Sequence, residues 1–189
     1  MSACLTPGFV HAGDAQICFR RIMEAMSRPG SIRPLSIDLV PPAPLSCASA
    51  AVLLTLADGS VMVNLSDTAT AAREWLVFHT GTRLGPSSDA DFIVASARPD
   101  FATLRMGTDE APEAGATLIL DLPDFCSGPR YRLTGPGIET ETIVQAPLDA
   151  GFITAWRDND ARAPRGIDLL LCAGDRIIGL PRSVIIDRV

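Results

Sequence analysis

GATLILDL, residues 115–122, is the stretch on which the reading of the fold turns. Leu118, Ile119 and Leu120 follow one another without a polar break, so a strand here carries apolar side chains on both faces. A strand with one wet face alternates apolar and polar. A strand covered on both sides does not, which is the habit of parallel strands roofed by other elements.

Upstream of this strand, Pro99 is well placed for the first turn of a helix across RPDFATLRMG (98–107), and ADFIVA (90–95) reads as another strand. Before that, TATAAREWLVFH (68–79) is a helix capped by Ser66 or Asp67 and ended at Gly81. SVMVNL (60–65) is a short strand, and CASAAVLLTLA (47–57) a buried helix closed by Asp58-Gly59. Downstream come RYRLTG, ETIVQA, a helix around FITAWRD, and then GIDLLLCAG, RIIGL and SVIIDRV with Gly174-Asp175 as a turn. Helix and strand alternate, which makes the expected class α/β, three-layered, with a mixed sheet flanked by helices. TRLGPSSDA (82–90) is the longest loose piece. With no repeat or linker, residues 1–189 are expected to form a single domain.

The first helix runs through AQICFRRIMEAMSRPG (15–30), with Asp14 as its cap and Pro29-Gly30 as its stop. Phe19, Ile22, Met23 and Met26 recur at three and four residues, which assigns Met23 and Met26 to the core. Glu24 is within helical reach of Arg20, Arg21 and Arg28, so this face is either a self-paired solvated surface or a site for an anion or, better, a partner. Pro34, Pro41, Pro42 and Pro44 then hold a stretched connection.

The composition excludes several function classes. Net charge is −6, and no arginine run tracks a phosphate backbone, so nucleic acid is not an expected partner. All 16 basic residues are arginine, and without lysine there is no Schiff base and no P-loop lysine. The longest apolar run, Cys47 to Ala57, falls short of the roughly 20 residues that span a membrane. MSACLTPGFV lacks the features of a secretory signal, which points to the cytoplasm. The 5 cysteines are scattered, and His11 and His79 are isolated, so no metal site is expected and His79 reads as structural.

LTGPGIET (133–140) imitates the start of a dinucleotide-binding loop through Gly135 and Gly137, yet the segment after it is β-branched and offers no helix N-terminus. It reads as a tight turn between strands. TDEAPE (108–113) and RDNDAR (157–162) have the composition of exposed loops. Arg182 either points at a ligand or forms a structural ion pair.

AQICFRRIMEAMSRPG, FHTG, ADF, APEAGATLIL, LTGPGIE, PRGIDLLL and IIGLPRS occur in the order of one family, from about Gly8 to Val189. On these motifs the chain resembles the PhnH family, subunits of bacterial carbon-phosphorus lyase. Where that family usually has threonines after LPR, this chain has Ser183-Val184. The resemblance implies a fold akin to the pyridoxal-phosphate-dependent transferases but without the cofactor, and a homodimer embedded with PhnG, PhnI and PhnJ. It implies a part in phosphonate catabolism, in which the assembly, helped by PhnL, forms ribose 1-phosphonate 5-triphosphate from ATP and an alkylphosphonate with loss of adenine. The family supplies no catalytic residue to carry over, and no cofactor is expected. Two roles follow as expectations. In one, the chain is a non-catalytic subunit whose Arg20, Arg21 and Arg28 dock carboxylates of a neighbour. In the other, Arg28, Arg182 or the Gly135-Pro136-Gly137 backbone contacts anionic substrate in a shared active site.

Overall fold

A computed structural model describes residues 6–65 and 70–189. The quoted stretch is β5 (Thr117–Asp121), and it has parallel neighbours on both sides: β4 (Phe92–Ala95) and β8 (Asp168–Ala173). The sheet continues beyond β4 through β2 (Met62–Leu65) to β3 (Arg83–Leu84), all parallel. On the other side β9 (Arg176–Leu180) returns antiparallel from β8, and β1 (Arg33–Pro34) closes that edge. The order is therefore β1-β9-β8-β5-β4-β2-β3, a mixed seven-stranded sheet.

The unbroken apolar run of β5 has a direct cause. Ile119 points into a core shared with α1 (Ala12–Ser27), α2 (Cys47–Leu56) and α3 (Thr70–Thr80), whereas Leu118 and Leu120 point into a second core on the opposite face. That second layer contains a three-stranded antiparallel sheet, ordered β10 (Ile185–Arg188), β6 (Arg130–Thr134) and β7 (Thr142–Gln145), together with α4 (Phe152–Asp160). The expected mixed sheet with helices on both faces is found, with an addition: a small sheet shares the second face. Three helices cover one face, and a small sheet with one helix covers the other. Trp156 anchors that helix by stacking on Phe152 and donating its indole N–H to the Val184 carbonyl at 2.7 Å.

Two glycines let α1 lie close to the sheets. At Gly179 in β9 a Cβ would stand 2.6 Å from the Ala25 carbonyl, and Gly30, at φ +82°, leaves no room for a side chain against Leu133 and Thr142. Asp14 is not the cap of α1. His11 takes that position, and Asp14 in the first turn accepts the His11 backbone N–H at 2.8 Å.

Four further expectations are overturned. Cys18, Ile22 and Ala25 form the buried stripe of α1 and Met26 packs against the same core as expected, but Phe19 and Met23 are about half exposed, because the helix is rotated so that small Ala25 meets Gly179. The 98–107 segment makes only a 3-10 turn, Phe101–Thr103, whose Asp100 side chain accepts the Ala102 N–H. RDNDAR is not a loop throughout: α4 runs to Asp160, and buried Asn159 exchanges two hydrogen bonds with the Ile167 main chain. TRLGPSSDA contains β3, held to β2 by main-chain bonds from Arg83 and Gly85. Ser66 and Asp67, named as caps of α3, lie outside the described residues.

Candidate docking and anion-binding surface

The motifs singled out in the sequence meet at one end of α1. Its last residues, Ser27 to Gly30, pack on the turn between β6 and β7, so that a Cβ at Gly137 would stand 2.5 Å from the Ser27 carbonyl oxygen and 2.9 Å from Pro29 Cδ. On the other side of that turn, Gly135 lies against Ser183, with an added Cβ 3.0 Å from its carbonyl oxygen. Arg28-Pro29-Gly30, Gly135-Pro136-Gly137 and Ser183 therefore form a clamp of three loops. The turn itself closes through the Ile138 N–H donating to the Gly135 carbonyl.

The candidate arginines separate into three roles. Arg21 takes Glu24 at 3.0 Å, a pair with both side chains well exposed and of small energetic weight. Arg20 and Arg28 are exposed and form no ion pair with a carboxylate among the described residues, so Glu24 serves one of the three guanidinium groups that it was spaced to reach. Arg182 turns inward. It grips both Asp168 oxygens, at 2.6 and 3.2 Å, and donates to the Pro112 carbonyl at 2.7 Å. The open choice at this position closes as a structural ion pair that ties the end of β9 to β8 and to the 112 loop.

Two arrangements escaped the sequence reading. At the carboxyl ends of β4 and β5, Ser96, Arg98, Leu122 and Leu148 help line a cavity of about 410 Å³, where Arg98 binds Asp149 in a two-pronged pair at 2.8 and 3.2 Å. Arg98 holds the Asp149 carboxyl below the usual carboxylate range, with the Gly151 N–H adding to the effect. Beside β5's end, the N-terminus of α2 is filled by Asp121, whose carboxylate accepts from Ser46 Oγ, Ser49 Oγ and the Ser46 N–H. Helix N-termini attract anions, and this one already holds the protein's own. A charge ending an otherwise apolar strand is the signal that marks Asp121 in the sequence.

The buried thiols offer little chemistry. Burial pushes Cys18 up to about 11 and raises Cys172 well above its ordinary value, and it raises Cys47 as well, so these sulfurs stay protonated near neutrality. His79 is structural, packed edge-on against Trp75 and Phe78 with Nε2 3.1 Å from the Thr6 carbonyl oxygen. Among the described residues no three His, Cys, Asp or Glu side chains gather as metal ligands, and no helix is long and apolar enough to cross a membrane.

One family model, "Bacterial phosphonate metabolism protein (PhnH)", matches the chain over residues 7–187. The chain belongs to the PhnH family. Among curated relatives it is 38% identical over 183 residues to the Alpha-D-ribose 1-methylphosphonate 5-triphosphate synthase subunit PhnH of Rhizobium meliloti (strain 1021), covering 93% of this chain and 91% of that one. It is also 35% identical over 170 residues to HtxG of Stutzerimonas stutzeri, described as a candidate C-P lyase subunit, covering 89% of this chain and 83% of that one.

Proposed function

We propose that this chain is a subunit of a carbon-phosphorus lyase assembly. Its part would be in forming ribose 1-phosphonate 5-triphosphate from ATP and an alkylphosphonate, alongside PhnG, PhnI, PhnJ and PhnL in the cytoplasm. The observation that carries this is the 38% identity, spread over 93% of the chain, to a PhnH subunit of ribose 1-methylphosphonate 5-triphosphate synthase. The chemistry of the chain supports a contribution of surface rather than of reacting groups. Its arginines are paired or exposed, and its buried thiols are protonated.

The three-layer architecture supports the finer reading of a fold related to pyridoxal-phosphate-dependent transferases, with residues 1–189 acting as one domain. The chain does not fit that cofactor. It has no lysine to hold an aldimine, and the N-terminus of α2, whose dipole would favour an anion, is taken by Asp121. A homodimer belongs to the same reading, and exposed Val77 and Phe78 beside Leu84 are apolar surface that such an association would cover.

Reconstitution of the assembly with and without this chain is the test, with ³¹P NMR following methylphosphonate and chromatography following adenine release. Product should form in the complete mixture and fail to form when this chain is omitted. Turnover by the isolated chain, or full turnover without it, would overturn the reading. The alternative, in which the chain contributes contacts to a shared anionic-substrate site, is favoured by one observation: Arg28 is exposed, forms no ion pair among the described residues, and stands between Ser27 and Pro29, which pack on the Gly135–Gly137 turn. An Arg28→Ala assembly of normal composition with a raised KM for ATP or methylphosphonate would select it.

A further inference from the structure

The three-stranded sheet ends in an open edge. In the β6–β7 pair the Ala146 N–H donates to the Pro129 carbonyl, and the register continues through Tyr131↔Val144 and Leu133↔Thr142. Because antiparallel residues alternate, Thr142 and Val144 direct their main-chain groups at β6, while Ile143 and Gln145 direct theirs away from it. Among the described residues no strand lies on that side, and β7 is the last in its sheet. An unpaired edge of this kind is a template for another strand.

Along the edge runs a cleft of about 380 Å³. Gly30, Val144 and Ile178 line it with Ile32, Phe125 and Ile143, of which Ile32 is 46% and Ile143 37% exposed. The cleft's other lining residues are polar, Gln145 and Arg130, and Arg130 is exposed and forms no ion pair among the described residues. One more guanidinium group borders it: Arg176 lies 5.9 Å over the Phe125 ring. Of the nearby carboxylates, Glu141 is held by Arg132, and Asp124, bonded by the N–H groups of Cys126 and Ser127 and by Ser127 Oγ, lies within the electrostatic reach of Arg176. In a chain of net charge −6, Arg130 is thus a cation on this edge that forms no ion pair with a carboxylate among the described residues.

We infer that β7 is the docking edge for an extended, acidic segment of a partner subunit. The segment adds as a fourth strand, bonds to the main chain of Ile143 and Gln145, places an apolar side chain between Ile32 and Phe125, and sets a carboxylate against Arg130. Main-chain pairing supplies affinity in such strand addition, and pockets for alternate side chains supply selectivity. The inference rests on the reading of the chain as a complex subunit.

The test compares the free chain with the assembled complex by amide hydrogen exchange, and the wild type with Ile143→Pro and Arg130→Glu by co-purification. Ile143→Pro removes an N–H that points away from β6, so the internal ladder is kept and only the added strand is blocked. Exchange at Ile143 and Gln145 should slow at least tenfold on assembly. Both variants should weaken association about tenfold or more, the charge reversal most strongly at low salt. If Ile143→Pro does not fold, Arg130→Glu and the exchange data decide alone. A complex that forms normally with unprotected Ile143 and Gln145 amides overturns this inference and leaves the subunit reading standing. Absence of any complex with the wild type removes both. Protection that appears in the free chain and rises with its own concentration would assign the edge to a second copy, and would overturn the acidic partner.

Discussion

Gly179 of β9 lies directly beneath Ala25 of α1, so close that a Cβ on the glycine would stand 2.6 Å from both the main-chain carbon and the oxygen of Ala25. The contact sets how deeply the first helix sits on the sheet. It also sets which of the helix's faces is turned outward, and with it the positions of Arg20 and Met23.

Gly179→Ala therefore cannot be absorbed by a side-chain rotation, because the obstructing atoms are backbone. Overpacking of this kind costs about 1–3 kcal/mol. For a chain of this size the loss lowers Tm by about 2–4 °C per kcal/mol, read by calorimetry. An unchanged Tm would show that α1 lifts off the sheet freely and that the close approach is not required.

Arg182 and Arg28 were equal candidates in the sequence, and the structure separates them by what surrounds each. Arg182 and Asp168 are mostly buried, with side chains 16% and 24% exposed, so Arg182→Ala strands a carboxylate and should destabilise the fold by about 2–4 kcal/mol in urea unfolding. Arg28→Ala removes an exposed side chain and should leave stability within about 0.5 kcal/mol. Its effect should appear only in co-purification with partners, which weakens. Stability loss at Arg28 or none at Arg182 would reverse the assignment.

The architecture was legible wherever a residue's pattern has one physical outcome. Leu118-Ile119-Leu120 needs two cores, and two cores are what β5 separates. The apolar run of Cys47 to Ala57 reads as a buried helix, and Ala48 to Leu53 at its centre is buried on every side. Other positions depend on distant partners. Met23 has helical spacing with Phe19 and Met26, yet Gly179 rotates it outward, and nothing within α1 records that glycine. Rotation likewise decided the arginines, since a helical wheel gives Glu24 three neighbours and only Arg21 is taken. Arg98 and Asp149 stand 51 residues apart, so no local spacing announces their pair or the cavity beside it.

The Arg98–Asp149 pair carries a pH dependence. Asp149 is held below the usual carboxylate range by Arg98 first, so its charged form is favoured in the folded state. The contribution is fully present above the unfolded-state value of about 3.9, and is lost as pH falls through the lower folded value. Wild type and Asp149→Asn should thus differ most in stability at neutral pH and converge in acid, below about pH 4. Asp149 is about half exposed, so the difference is small and salt reduces it. Parallel urea titrations from pH 7 to pH 2 measure it, and curves that never converge would contradict the assignment.

The buried thiols make the opposite prediction at high pH. Cys18 is raised from an ordinary value of 9.0 to about 11, chiefly by burial and against a hydrogen bond with Thr55, so the folded state favours the protonated sulfur. That preference contributes stability below the unfolded thiol's value and is lost as pH rises through about 11. Unfolding free energy should fall between pH 9 and pH 11, and Cys18→Ala should flatten the fall, with Cys172 supplying part of what remains. Thiol labelling gives a second readout at pH 8, in a Cys4→Ser background because Cys4 lies outside the described residues. Exposed Cys126 should react fast, half-buried Cys47 more slowly, and Cys18 and Cys172 only as fast as the protein opens. Rapid modification of Cys18 in the folded chain would mean that α1 does not stay seated on α2, and the close packing of helix on sheet would fail with it.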